Sequence, residues 1–410
     1  MSSLTSENQS VDLDAEVELP HFYRTASPPC KLYLGRFELD WPGNGWHLRL
    51  GQITDANRES FLGRDRAAGQ SSSQWRRLLP LFGVLVAIYL LMVGLSALEW
   101  GDSFWRFSQW RLRAPIFLVR HSEQGIAVNW INQRQILEQG AINIILGVGM
   151  TFVILTAGID LSVGSLLAFC NVLFVVTAKT MLGHQVPDAF VFLVATFVCL
   201  LGGVFCGWVS GAITVWGRVQ SFIVTLGMFL AARALAYVFS GKQPQRLVCS
   251  GAIRSLLPIG LAIGSVAVAY IVLGYTRLGR YTYAVGGNLE ASRLSGVPVN
   301  RVRILAFMIS GFCAALAGIV YWSRLSIGTY LAGESCELYA IAAVVIGGTS
   351  LMGGEGSVLG TLIGALIMAV LSKGLNTVSQ GVDEMTQRII VGSVIVAAAL
   401  YDSMRHRRKT

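Results

Sequence analysis

The sequence predicts an all-α polytopic membrane protein of about ten transmembrane helices with broken or re-entrant segments and both termini on the cytoplasmic side. Three observations predict it. Charged residues make up 13% of the 410 positions and apolar ones 53%, whereas a soluble domain carries about a quarter charged. From Leu78 onward, apolar runs recur with lengths close to the ~20 residues that cross ~30 Å of hydrocarbon. Most lysines and arginines lie between those runs, as they do in cytoplasmic loops. The net charge of +9 therefore reports orientation in a membrane and excludes nucleic acid as the partner.

Residues 1–77 stand apart, polar and with charges of both signs. Within them, "KLYLGRFELDWPGNGWHLRLGQI" alternates on either side of Pro42-Gly43-Asn44-Gly45, a hairpin turn signal. A lone hairpin is marginal in water, so this one needs further strands or a partner surface. The other reading is a flexible, partly disordered cytoplasmic tail. The first apolar run begins too far from Met1 for a cleavable signal.

The runs fall at 78–98, 141–158, 162–181, 189–213, 221–240, 256–274, 304–322, 338–349, 357–372 and 389–402. Together 78–402 form the transmembrane domain, and 403–410 a basic cytoplasmic tail. The loop 275–303 carries Arg277, Arg280, Arg293, Arg301 and Arg303 against the single acid Glu290. That loop is cytoplasmic by the positive-inside rule, as are the tail and the Arg76-Arg77 pair before the first run. The count puts 99–140 outside, yet that loop holds Arg106, Arg111, Arg113, Arg120 and Arg134. Its tryptophans, Trp100, Trp105, Trp110 and Trp130, predict an amphipathic segment in the interface, where aromatic rings are favoured.

Between the second and third runs lies a polar fault, Gly158-Ile159-Asp160-Leu161-Ser162. An unpaired carboxylate deep in a bilayer costs roughly 2.5–3.5 kcal/mol on insertion scales, so Asp160 needs a reason. Capping by Asp160 or Ser162 of a helix that restarts at Val163 is one; lining a pathway and coupling to an ion are the others. "AGIDLSVGSLL" is echoed by "GGTSLMGGEGSVL" at Gly347–Leu359. Interrupted helices of this kind are tolerated at membrane depth where protein or a water-filled cavity satisfies the freed backbone, and paired interruptions flag a translocation pathway. The candidates are Gly158, Asp160, Ser162, Gly164, Ser165 and Asn171 around the first break. Around the second they are Gly348, Thr349, Ser350, Gly353, Gly354 and Gly356.

Gly203, Gly207 and Gly211 form one stripe at four-residue spacing, and Gly356, Gly360 and Gly364 another. Such stripes allow close approach of helix backbones. In the 275–303 loop, Asn288 is placed to cap a short helix to Ser295, with Glu290 in its first turn and Gly296 and Pro298 ending it. A capped helix ringed by arginines on the cytoplasmic side suits docking of a partner. There is no Gly-x-x-x-x-Gly-Lys-[Ser/Thr] loop, so any ATP is hydrolysed by another chain. The seven cysteines include no C-x-x-C pair, and Cys170, Cys199, Cys206 and Cys313 lie in apolar runs as small hydrophobes. Neither a disulfide framework nor a metal site is expected.

The runs "GMTFVILTAGIDLSVGS", "SFIVTLGMFLAARALAYV", "TRLGRYTYAVGGNLEASRLSGVPV" and "IAAVVIGGTSLMGGEGSVLGTLIGALI" resemble the permease subunit of ribose-type, simple-sugar ABC importers over residues 129–402. The resemblance implies a non-catalytic permease in the bacterial inner membrane, acting as a homodimer. Its implied partners are a cytoplasmic ABC ATPase that uses ATP and magnesium and a periplasmic sugar-binding protein. It implies no cofactor on this chain. It gives the coupling role to Gly286, Gly287, Asn288, Glu290, Ala291, Arg293, Leu294 and Gly296, in the loop that also holds Arg280. Residues 1–77 have no counterpart in that family, and 99–128 look like an insertion. Two rivals differ in class. An ion-driven secondary transporter of a small polar solute would use Asp160 as an ion site, and a receptor would use residues 1–77 as its working domain.

Overall fold

The computed structural model describes residues 31–34, 37–40, 47–50, 64–96, 98–100, 110–112, 119–122, 125–128, 130–182, 187–248, 251–378 and scattered positions between 389 and 396. Side chains are described chiefly within 78–96, 133–182, 187–248 and 256–375. The tenth apolar run and the basic tail thus lie largely outside the described residues. Two units divide at Met1–Arg76 and Arg77–Thr410. In the first, β1 (Lys31–Leu34), β2 (Phe37–Asp40) and β3 (His47–Leu50) form an antiparallel sheet in that order, with Leu39 opposite Leu32 and Leu48.

The apolar run Leu78–Ser96 is carried by α1 (Arg64–Ser96). Four short strands follow: β4 (Leu98–Trp100) pairs with β5 (Trp110–Leu112), setting Trp100 opposite Trp110, and β6 (Val119–Ser122) pairs with β7 (Gly125–Val128). The next helices are α2 (Trp130–Leu155), α3 (Val163–Leu182), α4 (Asp188–Trp216) and α5 (Ser221–Phe239). After β8 (Gln245–Arg246) come α6 (Gly251–Tyr275), α7 (Arg277–Gly287), α8 (Leu289–Leu294) and α9 (Val299–Leu325). Last are β9 (Ile327–Gly328), paired antiparallel with β8, α10 (Cys336–Ile346) and α11 (Val358–Val378).

Among the described residues, eight helices are long and apolar enough to cross a membrane, namely α1–α6, α9 and α11. The protein is an all-α polytopic membrane protein. The run expected at 338–349 is the short helix α10, of 11 residues, too short at about 1.5 Å per residue to span a bilayer alone. The second run starts earlier than its apolar stretch. Its polar first turns are spent largely between helices: Tyr89 Oη donates to Gln133 Oε1 at 3.1 Å, Glu138 Oε2 lies 3.9 Å from Arg324 Nε of α9, and Gln139 Nε2 donates to Ser372 Oγ at 3.2 Å, while Arg134 pairs with Glu138 within the helix. A hydropathy pattern misses such residues because their polarity is satisfied inside the bundle.

The core is built on α2, α3, α9 and α11, whereas α4, α5 and α6 turn side chains such as Phe197, Leu230 and Ile263 outward. Burial all round suits helices at the centre of a bundle, and outward apolar faces suit contact with lipid. The first glycine stripe sets α4 against α9. A Cβ at Gly203 would meet the Gly311 carbonyl, one at Gly207 the Phe307 carbonyl, and one at Gly211 the Ile304 backbone. On α11, Gly360 and Gly364 similarly lie against the Gly347 and Ala343 carbonyls at the end of α10.

Candidate functional site

The polar fault is a break between two helices. Chain reversal begins where α2 ends at Leu155, with Ala157 in the left-handed region at φ 57° and the Gly158 amide donating to Val153 O at 3.0 Å. Asp160 is buried and fully engaged. Its Oδ1 accepts from the Ser162 amide at 2.9 Å and the Ser162 hydroxyl at 2.6 Å, and its Oδ2 accepts from Ser310 Oγ of α9 at 2.7 Å. The carboxylate therefore closes a tight turn on Ser162, the residue just before α3, and pins it to α9. The other freed amides are met by hydroxyls of α5: Ile159 N donates to Ser221 Oγ and Leu161 N to Thr225 Oγ1, both at 3.1 Å. Ser165 Oγ turns back to Ser162 O at 2.8 Å.

Ser310 fixes the depth of this break. It lies about 16 Å along α9 from Val299 and about 22 Å from Leu325, at a rise of about 1.5 Å per residue. Asp160 is thus near the middle of a helix that crosses the membrane. α10 begins near the same depth, where Gly333 and Glu337 close on Gly164 in the first turn of α3: a Cβ there would meet both the Gly333 carbonyl and Glu337 Oε2. That oxygen is buried without a hydrogen-bond partner. Arg233 of α5 braces the loop before α10, donating from Nη1 to Tyr330 O at 2.6 Å and Ala332 O at 2.7 Å. Asn171 has a separate duty on the same loop. It donates to Gly318 O at 3.1 Å and Ile327 O at 3.2 Å and accepts from the Thr329 amide at 2.9 Å.

The second break joins α10 to α11. Gly348, Gly353 and Gly354 have φ of 84°, 87° and 73°, left-handed conformations that L side chains rarely adopt. Ser350 N donates to Glu355 O at 2.9 Å, and Gly353 N returns to Ser350 O at 3.1 Å. Thr349 Oγ1 is buried without a partner, close against Gly356. The two breaks touch: Gly354 N donates to Leu155 O, at the end of α2, at 3.0 Å.

The loop 275–303 touches both. Within α7, a Cβ on Gly286 would meet the Leu155 carbonyl and the Gly354 amide, and Gly287 packs against Gly354. Tyr283 Oη donates to Gly356 O at 3.0 Å, and burial pushes its hydroxyl up to about 12. Asn288 ends α7 and caps α8, its Oδ1 accepting from Ala291 N at 2.9 Å. Gly296, at φ 77°, closes the turn. Arg280, Glu290, Ala291, Arg293 and Leu294 are exposed, Leu294 to 89%, with Arg293 and Glu290 paired at 3.1 Å.

The structure therefore joins Gly286 and Gly287 to the two breaks and leaves Arg293 and Leu294 on a free outer face. Sequence reasoning missed Ser310, Ser221, Thr225, Tyr283, Arg233 and Glu337. Of these, Arg233 and Glu337 carried a signal, being ionisable residues within or beside apolar runs.

A family model described as a branched-chain amino acid transport system / permease component matches residues 133–399. The chain belongs to this permease family. It is 42% identical over 291 residues to the ribose import permease RbsC of Haemophilus influenzae, covering 68% of this chain and 87% of that one. To RbsC of Escherichia coli K12 it is 43% identical over 286 residues, 67% of this chain and 86% of the other. The D-allose permease AlsC of the same strain shares 34% over 316 residues, covering 75% and 93%. No solved structure gives a significant match. Family and spans together make this permease a multi-pass protein of the bacterial inner membrane, a transport component of the simple-sugar type.

Proposed function

We propose that this permease forms the membrane conduit of an ATP-driven importer for a ribose-like monosaccharide. A separate ATPase docks on the α7–α8 loop, a periplasmic binding protein delivers the sugar on the opposite side, and two copies of the permease enclose the path. The observation that carries the reading is the joint among α7, the end of α2 and the second break. Gly286 and Gly287 abut Leu155 and Gly354, and Tyr283 holds Gly356. A push on the outer face of the loop reaches both interrupted helices without an intermediary. Further support comes from the relatives, which are named for ribose import and D-allose transport.

Sugars are neutral and rich in hydroxyls, so the path needs hydrogen-bonding groups at membrane depth. Thr349 Oγ1 and Glu337 Oε2, buried without partners, are such groups, and Ser162 and Ser165 lie at the adjoining break. Asp160 is occupied on both oxygens, which supports a role in holding the break rather than in carrying an ion.

The test is uptake of labelled ribose into vesicles holding the permease, its ATPase and its binding protein. Import is expected only with ATP; import driven by a proton or sodium gradient without ATP would sink the proposal. Arg293→Glu reverses a charge on the docking face, and Gly296→Pro cannot adopt the φ of 77° found there. Both are expected to release the ATPase while leaving membrane insertion intact. Undiminished copurification of the ATPase with both variants refutes the docking assignment.

A further inference from the structure

Where α4 turns into α5, residues Arg218–Gln220, together with Arg293 of α8 and the first turns of α9, border a cleft of about 730 Å³. Thr214, Arg218, Gln220, Arg293, Asn300 and Arg303 line it. That lining brings three guanidinium groups together with no carboxylate. Glu290 is nearby, paired with Arg293 at 3.1 Å, but both partners are exposed and such pairs are weak. Among the described residues neither Arg218 nor Arg303 makes an ion pair. Val299 and Asn300, at the start of the 27-residue helix α9, also face the cleft, and a helix start adds partial positive charge.

The depth of the cleft is marked by its neighbours. α4 ends at Trp216, 65% exposed, and α5 opens with the exposed side chains Phe222 and Ile223. An outward tryptophan at a helix end sits at the headgroup level of a bilayer. Arg218 therefore occupies a turn between two spans at that level, with apolar surface on both flanks for acyl chains.

We propose that this cleft binds the headgroup phosphate of an anionic phospholipid, held by Arg218 and Arg303. Arg293 contributes from the adjoining docking loop, so lipid occupancy reaches the element on which the ATPase would dock. The lipid, rather than a soluble phosphate or an acidic protein segment, fits because the arginines stand beside outward apolar helix faces. The inference depends on α4, α5 and α9 crossing the membrane and stands whatever solute is carried.

The experiment is a titration of the purified full chain in neutral detergent with phosphatidylglycerol or phosphatidylcholine, counting bound lipids by native mass spectrometry. Phosphatidylglycerol is expected to bind in preference to phosphatidylcholine, with one molecule lost in the Arg218→Gly/Arg303→Gln double variant. Each basic residue at a membrane surface contributes enough that losing two weakens binding roughly 30-fold. Arg218→Gly alone, which suits the φ of 53° at that position, is expected to weaken it about fivefold with folding retained. Arg246→Ala, in β8 and away from the cleft, is expected to change nothing. Equal binding of the two lipids, or wild-type affinity in the double variant, overturns the proposal. So does displacement of the lipid by inorganic phosphate at matched concentration, which assigns the cleft to a soluble anion. Protection of Arg218 by the ATPase alone, with no lipid bound, overturns it in favour of a protein contact.

Discussion

Replacing Asp160 separates the work of its hydrogen bonds from the work of its charge. The carboxylate accepts three bonds, two from Ser162 and one from Ser310, at 2.9, 2.6 and 2.7 Å. Asp160→Ala orphans all three donors in a buried site. At about 1 kcal/mol of net stability per bond, the loss is roughly 3 kcal/mol. Asp160→Asn keeps an oxygen for Ser162 and turns an NH₂ toward Ser310, whose hydroxyl can rotate to accept. What goes is the charge assistance, about 1 kcal/mol. The two variants should therefore differ by roughly 2 kcal/mol, about 30-fold in the folding equilibrium. The assay is unfolding of the detergent-solubilised protein followed by tryptophan fluorescence, with sugar uptake measured in parallel. Asp160→Asn should fold and transport nearly as wild type, and Asp160→Ala should be markedly less stable. Asn as damaging as Ala would show that the charge itself is required. Normal stability with abolished uptake in Asp160→Asn would move the residue from holding the break to lining the pathway.

Other substitutions probe the joint and the helix contacts. Tyr283→Phe removes the bond to Gly356 and should lower stability by about 1 kcal/mol, with uptake reduced and ATPase copurification retained; unchanged uptake would show that this bond takes no part in transmission. The Tyr283 hydroxyl is raised from 10.0 to about 12, so above pH 10 the unfolded chain loses this proton before the folded one. Stability from this group therefore falls between pH 10 and 12, and a pH series on wild type and Tyr283→Phe should show a steeper decline in wild type. Gly207→Ala drives a methyl into the Phe307 carbonyl and should destabilise by about 1–3 kcal/mol. Gly227→Ala and Gly264→Ala meet nothing within 4 Å and should be neutral or up to about 1 kcal/mol stabilising; thermal unfolding of the three variants compares them.

What was legible in the sequence was local. The fault at Gly158–Ser162, the cap at Asn288 and the glycine stripes each announce themselves through residues a few positions apart, and the structure has a helix break, a capped helix and close backbone contacts there. What was hidden depends on partners far away in the chain. Ser221, Thr225 and Ser310 are single hydroxyls in apolar runs, and nothing in their own neighbourhoods says that they serve the amides and carboxylate of a break 60 to 150 residues off. Glu337 lies at the edge of a run whose shortness was visible, but only packing sets α10 with its start against Gly164. The second helix starts eleven residues before its apolar stretch because Gln133 and Gln139 find partners on α1 and α11, a distinction that hydropathy does not make.

The joint at Gly286, Leu155 and Gly354 has a mechanical consequence. Side chains absorb small displacements by changing rotamer, and a contact made through them yields like a soft bearing. Here three main chains meet directly, with no side chain between them to give way. A shift of α7 by a fraction of an ångström is therefore passed on as movement of the end of α2 and of the second break together. A linkage without slack is what the proposed docking of an ATPase on this loop requires, because a push on α7 would then arrive at both breaks undiminished.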